Sequence, residues 1–199
     1  MSRLPSLDPA DLTGKQRQLY DTIAGDARRN ALRKFKVTDD KGALGGPFNV
    51  LLYAPEVGNS VQALGAALRF ESSLPGHLRE LAILMVAQQW RANYEWYAHA
   101  PIALREGLSE AAVEAVKAGK APDAGEDVDT VYRFVRELTE TRRASDATYE
   151  QIKTLLGEQG VVELITLVGH YSLLAGLLNC FEVDLPGGET PPFGDENSE

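Results

Sequence analysis

The stretch HLRELAILMVAQQW, at residues 77–90, is apolar on almost every side when it is drawn as a helix. A helix that is hydrophobic all round is buried, so we expect this segment to form the centre of the core. The next stretch, RANYEWYAHAPIALREG at residues 91–107, keeps the helical pattern but carries several ionisable groups. Together the two segments predict a central helix followed by a helix that carries the polar chemistry.

Apolar residues elsewhere also recur with helical spacing, and strand-like alternation is hard to find. The pattern predicts helices over 13–23, 56–70, 109–119, 126–143, 145–156 and 158–181. Residues 26–47 lose this periodicity and predict a long loop, and a short apolar run follows at 48–53. The predicted fold class is therefore all-α, a single-domain helical bundle. Its main part spans 45–186, after an N-terminal helix and loop (1–44) and before an acidic tail (187–199) that we expect to be disordered.

Composition excludes several classes of protein. The 199 residues include one cysteine, Cys180, and three histidines, so one chain can form no disulfide and no site with two thiolates. The net charge of −9 disfavours nucleic-acid binding, which needs a basic face. The apolar run at 161–181 contains Glu163, His170 and Asn179, which favours a buried helix over a membrane span. We predict a cytoplasmic protein without a membrane or nucleic-acid partner.

Three further features of the sequence are explained by structure without a role in function. We expect Cys180 to be a small buried apolar residue and His170 to be a core or interface histidine. The basic cluster Arg28, Arg29, Arg33, Lys34 and Lys36 reads as a solvated surface.

Ionisable groups suited to proton transfer gather around residue 95. Glu95 and His99 are four apart, so on a helix they share a face. A carboxylate beside an imidazole can orient the ring and raise its pKa. Glu80 would lie roughly 22 Å from Glu95 on one unbroken helix, so the two can meet only if the chain turns near residues 89–93. The spacing fits a modest surface pair equally well, with Arg91 neutralising Glu95.

At these residues the chain resembles the carboxymuconolactone decarboxylase family, which includes alkylhydroperoxidase D-like proteins. The segments GPFNVLLYAPEVG, residues 79–116 and VELITLVGHYSLLAGLLNCFEVDLP carry the resemblance. It implies an all-helical fold, a homotrimer or dimer of trimers, and catalytic roles for Glu80, Glu95 and His99. Tyr94 and Trp96 are then candidate walls for a small-molecule substrate, and Arg91 is a candidate cationic contact.

The peroxidase branch of that family carries a Cys-x-x-Cys pair before the histidine. Alignment on Glu80 and His99 puts Ala92 and Glu95 at the two cysteine positions. Peroxide reduction needs a thiolate and a resolving thiol, so we do not expect dithiol peroxidase activity. The decarboxylase branch needs no thiol. We therefore expect a cofactor-free, metal-free acid/base lyase or isomerase for a small organic acid or lactone. The alternatives are an alkylhydroperoxidase-like oxidoreductase and a non-catalytic ligand-binding oligomer.

Overall fold

A computed structural model describes residues 2–25 and 37–194 of the chain. The described ranges contain helices and no strand, apart from one isolated bridge between Thr38 and Leu44. The helices are α1 (Gly14–Ala24), α2 (Pro47–Leu52), α3 (Pro55–Phe70), α4 (Gly76–Gln89), α5 (Asn93–Arg105), α6 (Glu110–Lys117), α7 (Glu126–Thr141) and α8 (Asp146–Cys180). The all-α prediction is confirmed, and so are most of the predicted helix positions.

Helix α4 is the centre of the molecule, as its apolar composition predicts. It packs against α5, α6, α7 and α8. Four consecutive residues in its middle, from Leu81 to Leu84, have no exposed surface. Because neighbours cover α4 on all sides, any polar group on it must find a partner inside the protein.

The chain reverses direction between α4 and α5. Arg91 adopts a left-handed conformation with φ 48°, and Ala92 is fully buried as α5 begins. The amide of Ala92 donates to the carbonyl of Ala87 at 2.8 Å, which closes the end of α4. The turn near residues 89–93 that the sequence allows, without requiring it, is therefore present, and it folds α5 back along α4.

Helix α8 is the longest helix and packs on α3, α4 and α7. Ser145 caps its N-terminus by accepting a hydrogen bond from the amide of Thr148. Gly157 has φ 69° and bends the run, where the sequence predicts a break between two helices. By length and composition α8 is apolar enough to cross a membrane, a property that it shares with core helices of many proteins.

The N-terminal segment adds a second, smaller apolar cluster. Leu19 and Ile23 of α1 pack with Leu44, Leu51 and Leu52. Residues 26–36, which hold the basic cluster and most of the predicted long loop, lie outside the described residues. So do residues 195–199 of the predicted tail.

Two predictions about the C-terminal part differ from the structure. Cys180, the last residue of α8, is exposed rather than buried. The tail is ordered at least as far as residue 194, in contrast to the predicted disorder. Phe193 packs edge-on against Trp96, with ring centroids 5.2 Å apart. The amide of Phe193 also donates to Asn93 Oδ1 at 2.8 Å.

Candidate active site

A cavity of about 80 Å³ lies between α2, α3, α5 and α8. Most of its wall is apolar, with side chains such as Leu51, Val61, Ala66, Leu174 and Leu178. Its polar lining comes from three helices: Gln62 and Arg69 of α3, Tyr94, Glu95 and His99 of α5, and His170 and Tyr171 of α8. An apolar chamber with a few convergent polar groups is the usual form of a small-molecule site.

His99 is held by a hydrogen bond to Glu80. Its Nδ1 lies 2.7 Å from Glu80 Oε2. Glu80 lies in the buried middle of helix α4 and has no exposed surface, and its other oxygen lies 3.4 Å from the Nε of Arg79. The spacing on α5 predicts Glu95 as the partner of His99, and this is wrong. The folding of α5 along α4 brings Glu80 to the ring instead.

The two members of this pair have protonation states that fit each other. Burial raises the pKa of Glu80, but the attraction and hydrogen bond of His99, with the charges of Arg69 and Arg79, outweigh it and hold that pKa below its usual value. Burial also lowers the pKa of His99, more than the pull of Glu80 raises it. An ionised Glu80 therefore accepts the Nδ1 proton of a neutral His99, and Nε2 keeps its lone pair.

Glu95 is buried without a partner. Only 3% of its surface is exposed, and neither carboxyl oxygen has a hydrogen-bond partner within the described residues. Burial raises the pKa of Glu95 well above its usual value, which favours the protonated, uncharged acid. A lone buried carboxyl group costs stability, and such groups collect at functional sites.

His170 faces the cavity from α8, opposite α5. It is 6% exposed, and burial lowers its pKa to about 4, so it is neutral at neutral pH. The ring of Tyr171 lies edge-on to both histidine rings, with centroids 5.1 Å from His99 and 5.4 Å from His170. A Cβ at Gly65 would come 2.7 Å from Nε2 of His170, so this position on α3 leaves room for the imidazole.

Tyr94 lies in the cavity wall, as the sequence predicts. Burial, with a smaller contribution from Tyr97, raises its pKa to about 12. Its ring lies flush against Gly46, where a Cβ would come within 2.5 Å of the ring. Gly46 has φ 59° and opens α2, so both its space and its backbone favour glycine.

The other two predicted substrate contacts lie elsewhere. Trp96 is buried in the main core against Phe193, and Arg91 lies over the Phe193 ring and donates to its carbonyl. Neither side chain lines the cavity, so the structure does not place Trp96 or Arg91 where a ligand in the cavity would contact them. Arg69 lines the cavity instead. Nothing in the spacing of Arg69 or His170 marks them, because they meet the α5 residues only through the fold.

Neither alignment position for the peroxidase cysteines holds a thiol, and Cys180 does not line the cavity. Among the described residues, no three His, Cys, Asp or Glu side chains come together in a way that would hold a metal ion.

Comparison with known proteins finds a family whose sequence model matches the part of the chain that carries these residues. Residues 55–137, which include Glu80, Glu95 and His99, match the sequence model of the carboxymuconolactone decarboxylase family. No curated protein sequence matches the chain.

Three solved structures share the fold. An uncharacterised peroxidase-related protein from Ralstonia eutropha, described as an alkylhydroperoxidase AhpD core, has a TM-score of 0.72 at 16% identity over 94% of this chain and 93% of that one. A cysteine-to-alanine variant of the debrominase Bmp8, in complex with 2,3,4-tribromopyrrole, has a TM-score of 0.69 at 11% identity over 94% and 95%. A putative AhpD antioxidant defence protein from Agrobacterium tumefaciens has a TM-score of 0.62 at 18% identity over 69% and 96%. At these identities the likeness is one of fold. The family match is confined to residues 55–137, and the three structures show that the whole chain has an AhpD-like all-α fold.

Proposed function

We propose that the protein is a cofactor-free acid/base lyase or isomerase that acts on a small organic acid or lactone. One observation carries the proposal. A neutral imidazole, fixed by a buried carboxylate, and a neutral carboxylic acid without a partner line the same apolar cavity. Groups whose surroundings drive their pKa values away from the usual range are typical of acid and base catalysts.

His99 is the base in this proposal. Its Nδ1–H is bound to Glu80, so Nε2 is the nitrogen free to accept a proton from a carbon next to a carbonyl group. Glu80 does not line the cavity and acts through the ring, which it orients and whose protonated form it stabilises. Glu80 is therefore a positioning residue, and its carboxylate need not take the proton itself.

Glu95 is the acid. In a decarboxylation, the carbon–carbon bond to the carboxylate breaks, CO₂ leaves, and the electron pair stays on the substrate as an enolate. The proton of Glu95 then goes to that carbon, and solvent returns a proton to the carboxylate. In an isomerisation, His99 removes a proton from one carbon and Glu95 supplies one to another. Both routes need Glu95 protonated at the start, as its burial favours.

The observations also bear on the alternatives. A thiol-dependent hydroperoxidase is disfavoured because Ala92 and Glu95 stand at the aligned cysteine positions and Cys180 lies outside the cavity. The Bmp8 structure holds a small ring compound on the same fold, in line with a small-molecule cavity here. The remaining alternative is a protein that binds a ligand without catalysis, and the experiment below distinguishes it from an enzyme.

The assembly is a further part of the proposal, as a homotrimer or a dimer of trimers. Val57 of α3 and Val162 of α8 are 61% and 64% exposed, which supports a covered face in the assembled protein. Light scattering coupled to size exclusion measures the subunit number directly.

The test uses exchange in D₂O, because it detects proton transfer even when no net product forms. The wild-type protein is incubated with a panel of β-keto acids and unsaturated lactone acids, and NMR follows deuterium incorporation and substrate loss. We expect turnover of at least one member of the panel. Glu95→Gln and His99→Gln should each lower that rate by about 100-fold or more, because each removes one proton-transfer group.

Glu140→Gln is the matched control. Glu140 is an exposed carboxylate that pairs with Arg136 on α7, away from the cavity. Its variant should keep the wild-type rate, and circular dichroism should show that all the variants are folded. Wild-type rates in both Glu95→Gln and His99→Gln would overturn the proposed mechanism. Ligand binding without any exchange would instead identify a non-catalytic binding protein.

A further inference from the structure

We infer that the cavity selects monoanions, and that Arg69 binds the single carboxylate of an otherwise apolar ligand. The inference rests on the proposed function and names the substrate class for the same site. It depends on three observations: which side chains of the cavity wall carry charge, where those charges lie, and how apolar the other side chains of the wall are.

Arg69 is the one lining side chain within the described residues that is charged at neutral pH. Burial without a partner among the described residues favours the uncharged form of Glu95, burial keeps His170 neutral, and His99 is neutral in its bond to Glu80. Tyr94 and Tyr171 are also neutral, since burial raises the pKa of each. The ionised Glu80 lies behind His99, outside the cavity lining, with Arg79 beside it. The wall therefore presents one positive charge.

Arg69 has no carboxylate partner among the described residues. Its guanidinium carbon lies 5.3 Å from the ring centroid of its neighbour Phe70. The guanidinium lies close enough to Glu80 and His99 for its charge to lower the pKa of both. A ligand carboxylate in the cavity would thus meet a guanidinium that is still available for a paired hydrogen bond.

A second carboxylate on the ligand would have no such partner. The remaining wall is apolar side chains and neutral polar groups. A charge that is taken out of water without a partner is costly, and the chain as a whole carries −9. A neutral ligand of the same shape would lose the charge-assisted hydrogen bond. The cavity therefore suits a ligand that carries a single carboxylate.

The experiment compares three ligands of one chain length by ligand-observed NMR titration: pentanoate, glutarate and pentanamide. None of them has a keto group, so binding is measured without chemistry. We expect pentanoate to bind about tenfold or more tightly than either of the others. Arg69→Gln should weaken pentanoate binding by about tenfold or more and leave pentanamide unchanged, whereas Arg69→Lys should keep most of the preference for the anion.

Arg136→Gln, which removes a surface guanidinium far from the cavity, is the control and should change nothing. The inference is overturned if glutarate or pentanamide binds as tightly as pentanoate, if pentanoate does not bind, or if Arg69→Gln leaves its affinity unaltered. These outcomes are separate from those of the proposed function. Loss of exchange in Glu95→Gln and His99→Gln tests the chemistry, while this panel tests recognition alone.

Discussion

Glu80 and Glu95 are both buried on the helical pair α4–α5, yet one has partners and the other has none. Glu80 bonds to His99 and lies beside Arg79, and these neighbours lower its pKa against the effect of burial. Glu95 meets no donor in the described residues, so burial acts alone and raises its pKa. The same contrast separates the histidines, since His99 has a carboxylate partner, whereas His170 makes a ring contact with Tyr171 and no carboxylate contact among the described residues.

The contrast teaches that burial by itself does not set a protonation state. Two carboxyl groups with nearly equal exposure, 0% and 3%, differ because Glu80 has His99 and two arginine charges beside it and Glu95 has no such neighbours among the described residues. The buried polar groups at the site therefore fall into two kinds. The hydrogen-bonded pair Glu80–His99 stabilises the fold, and the unpaired groups Glu95 and His170 lower its stability. The paired groups should be destabilising to break, and the unpaired groups should be stabilising to remove.

Breaking the pair should have the largest effect. His99→Ala leaves the ionised Glu80 buried without its main hydrogen-bond partner, with the charges of Arg79 at 3.4 Å and of Arg69 as its remaining compensation. We expect the free energy of unfolding to fall by about 3–5 kcal/mol, measured by urea denaturation at pH 7. Glu80→Gln, which removes the charge and keeps the shape, should cost less. If the free energy of unfolding of His99→Ala fell by less than about 1 kcal/mol, the Glu80–His99 pair would not stabilise the fold.

The unpaired histidine should make the fold sensitive to acid. In the unfolded chain His170 binds a proton below about pH 6.5, but in the folded protein it does so only near pH 4. Its contribution to stability is therefore complete above pH 6.5 and is lost as the pH falls to about 4. This difference corresponds to about 3 kcal/mol.

His170→Asn removes that titration. Between pH 7 and pH 4 the variant should lose about 3 kcal/mol less unfolding free energy than the wild type, by urea denaturation at each pH. Glu80 and His99 also lose their contributions on acidification and remain in both proteins, so the difference isolates His170. Parallel pH profiles for the two proteins would contradict the burial of an unpartnered imidazole.

The unpaired carboxyl should respond in the opposite direction. Glu95→Met replaces a buried acid without partners by an apolar side chain of similar length, so we expect stability to rise by about 1–3 kcal/mol while turnover is lost. The pKa of Glu95 is raised by folding, so its contribution is complete below the usual 4.5 and falls as the pH rises toward the raised value. The thermal stability gap between variant and wild type should therefore widen above about pH 4.5. A constant or shrinking gap would mean that Glu95 finds a partner.

Much of the paired part of the site follows from the sequence. The apolar surround of residues 78–87 predicts the central helix, and the sequence allows, without requiring, the turn before Asn93 that brings Glu80 to α5. What the spacing gets wrong is the partner of His99. Helical periodicity describes neighbours on one helix, and the deciding neighbour lies on another.

The unpaired part could not be predicted, because it is assembled across the fold. Arg69 and His170 come from α3 and α8, which surround the cavity although they are about 100 residues apart in the chain. The apolar sequence around His170 predicts a core or interface histidine. The side chain is indeed buried, but it lies in the wall of the cavity. The exposure of Cys180 and the docking of Phe193 likewise depend on what covers the end of each helix.

The smallest effect compares two helical glycines. A Cβ at Gly65 would come 2.7 Å from Nε2 of His170, whereas a Cβ at Gly169 would meet nothing within 4 Å. Alanine favours a helix over glycine by about 1 kcal/mol, so Gly169→Ala should raise stability by nearly that amount and leave pentanoate binding unchanged. Gly65→Ala should gain less because the imidazole must move, and it should weaken pentanoate binding by narrowing the cavity. If both variants were equally stable and bound pentanoate equally well, His170 would not be held at the cavity wall by the space that Gly65 leaves.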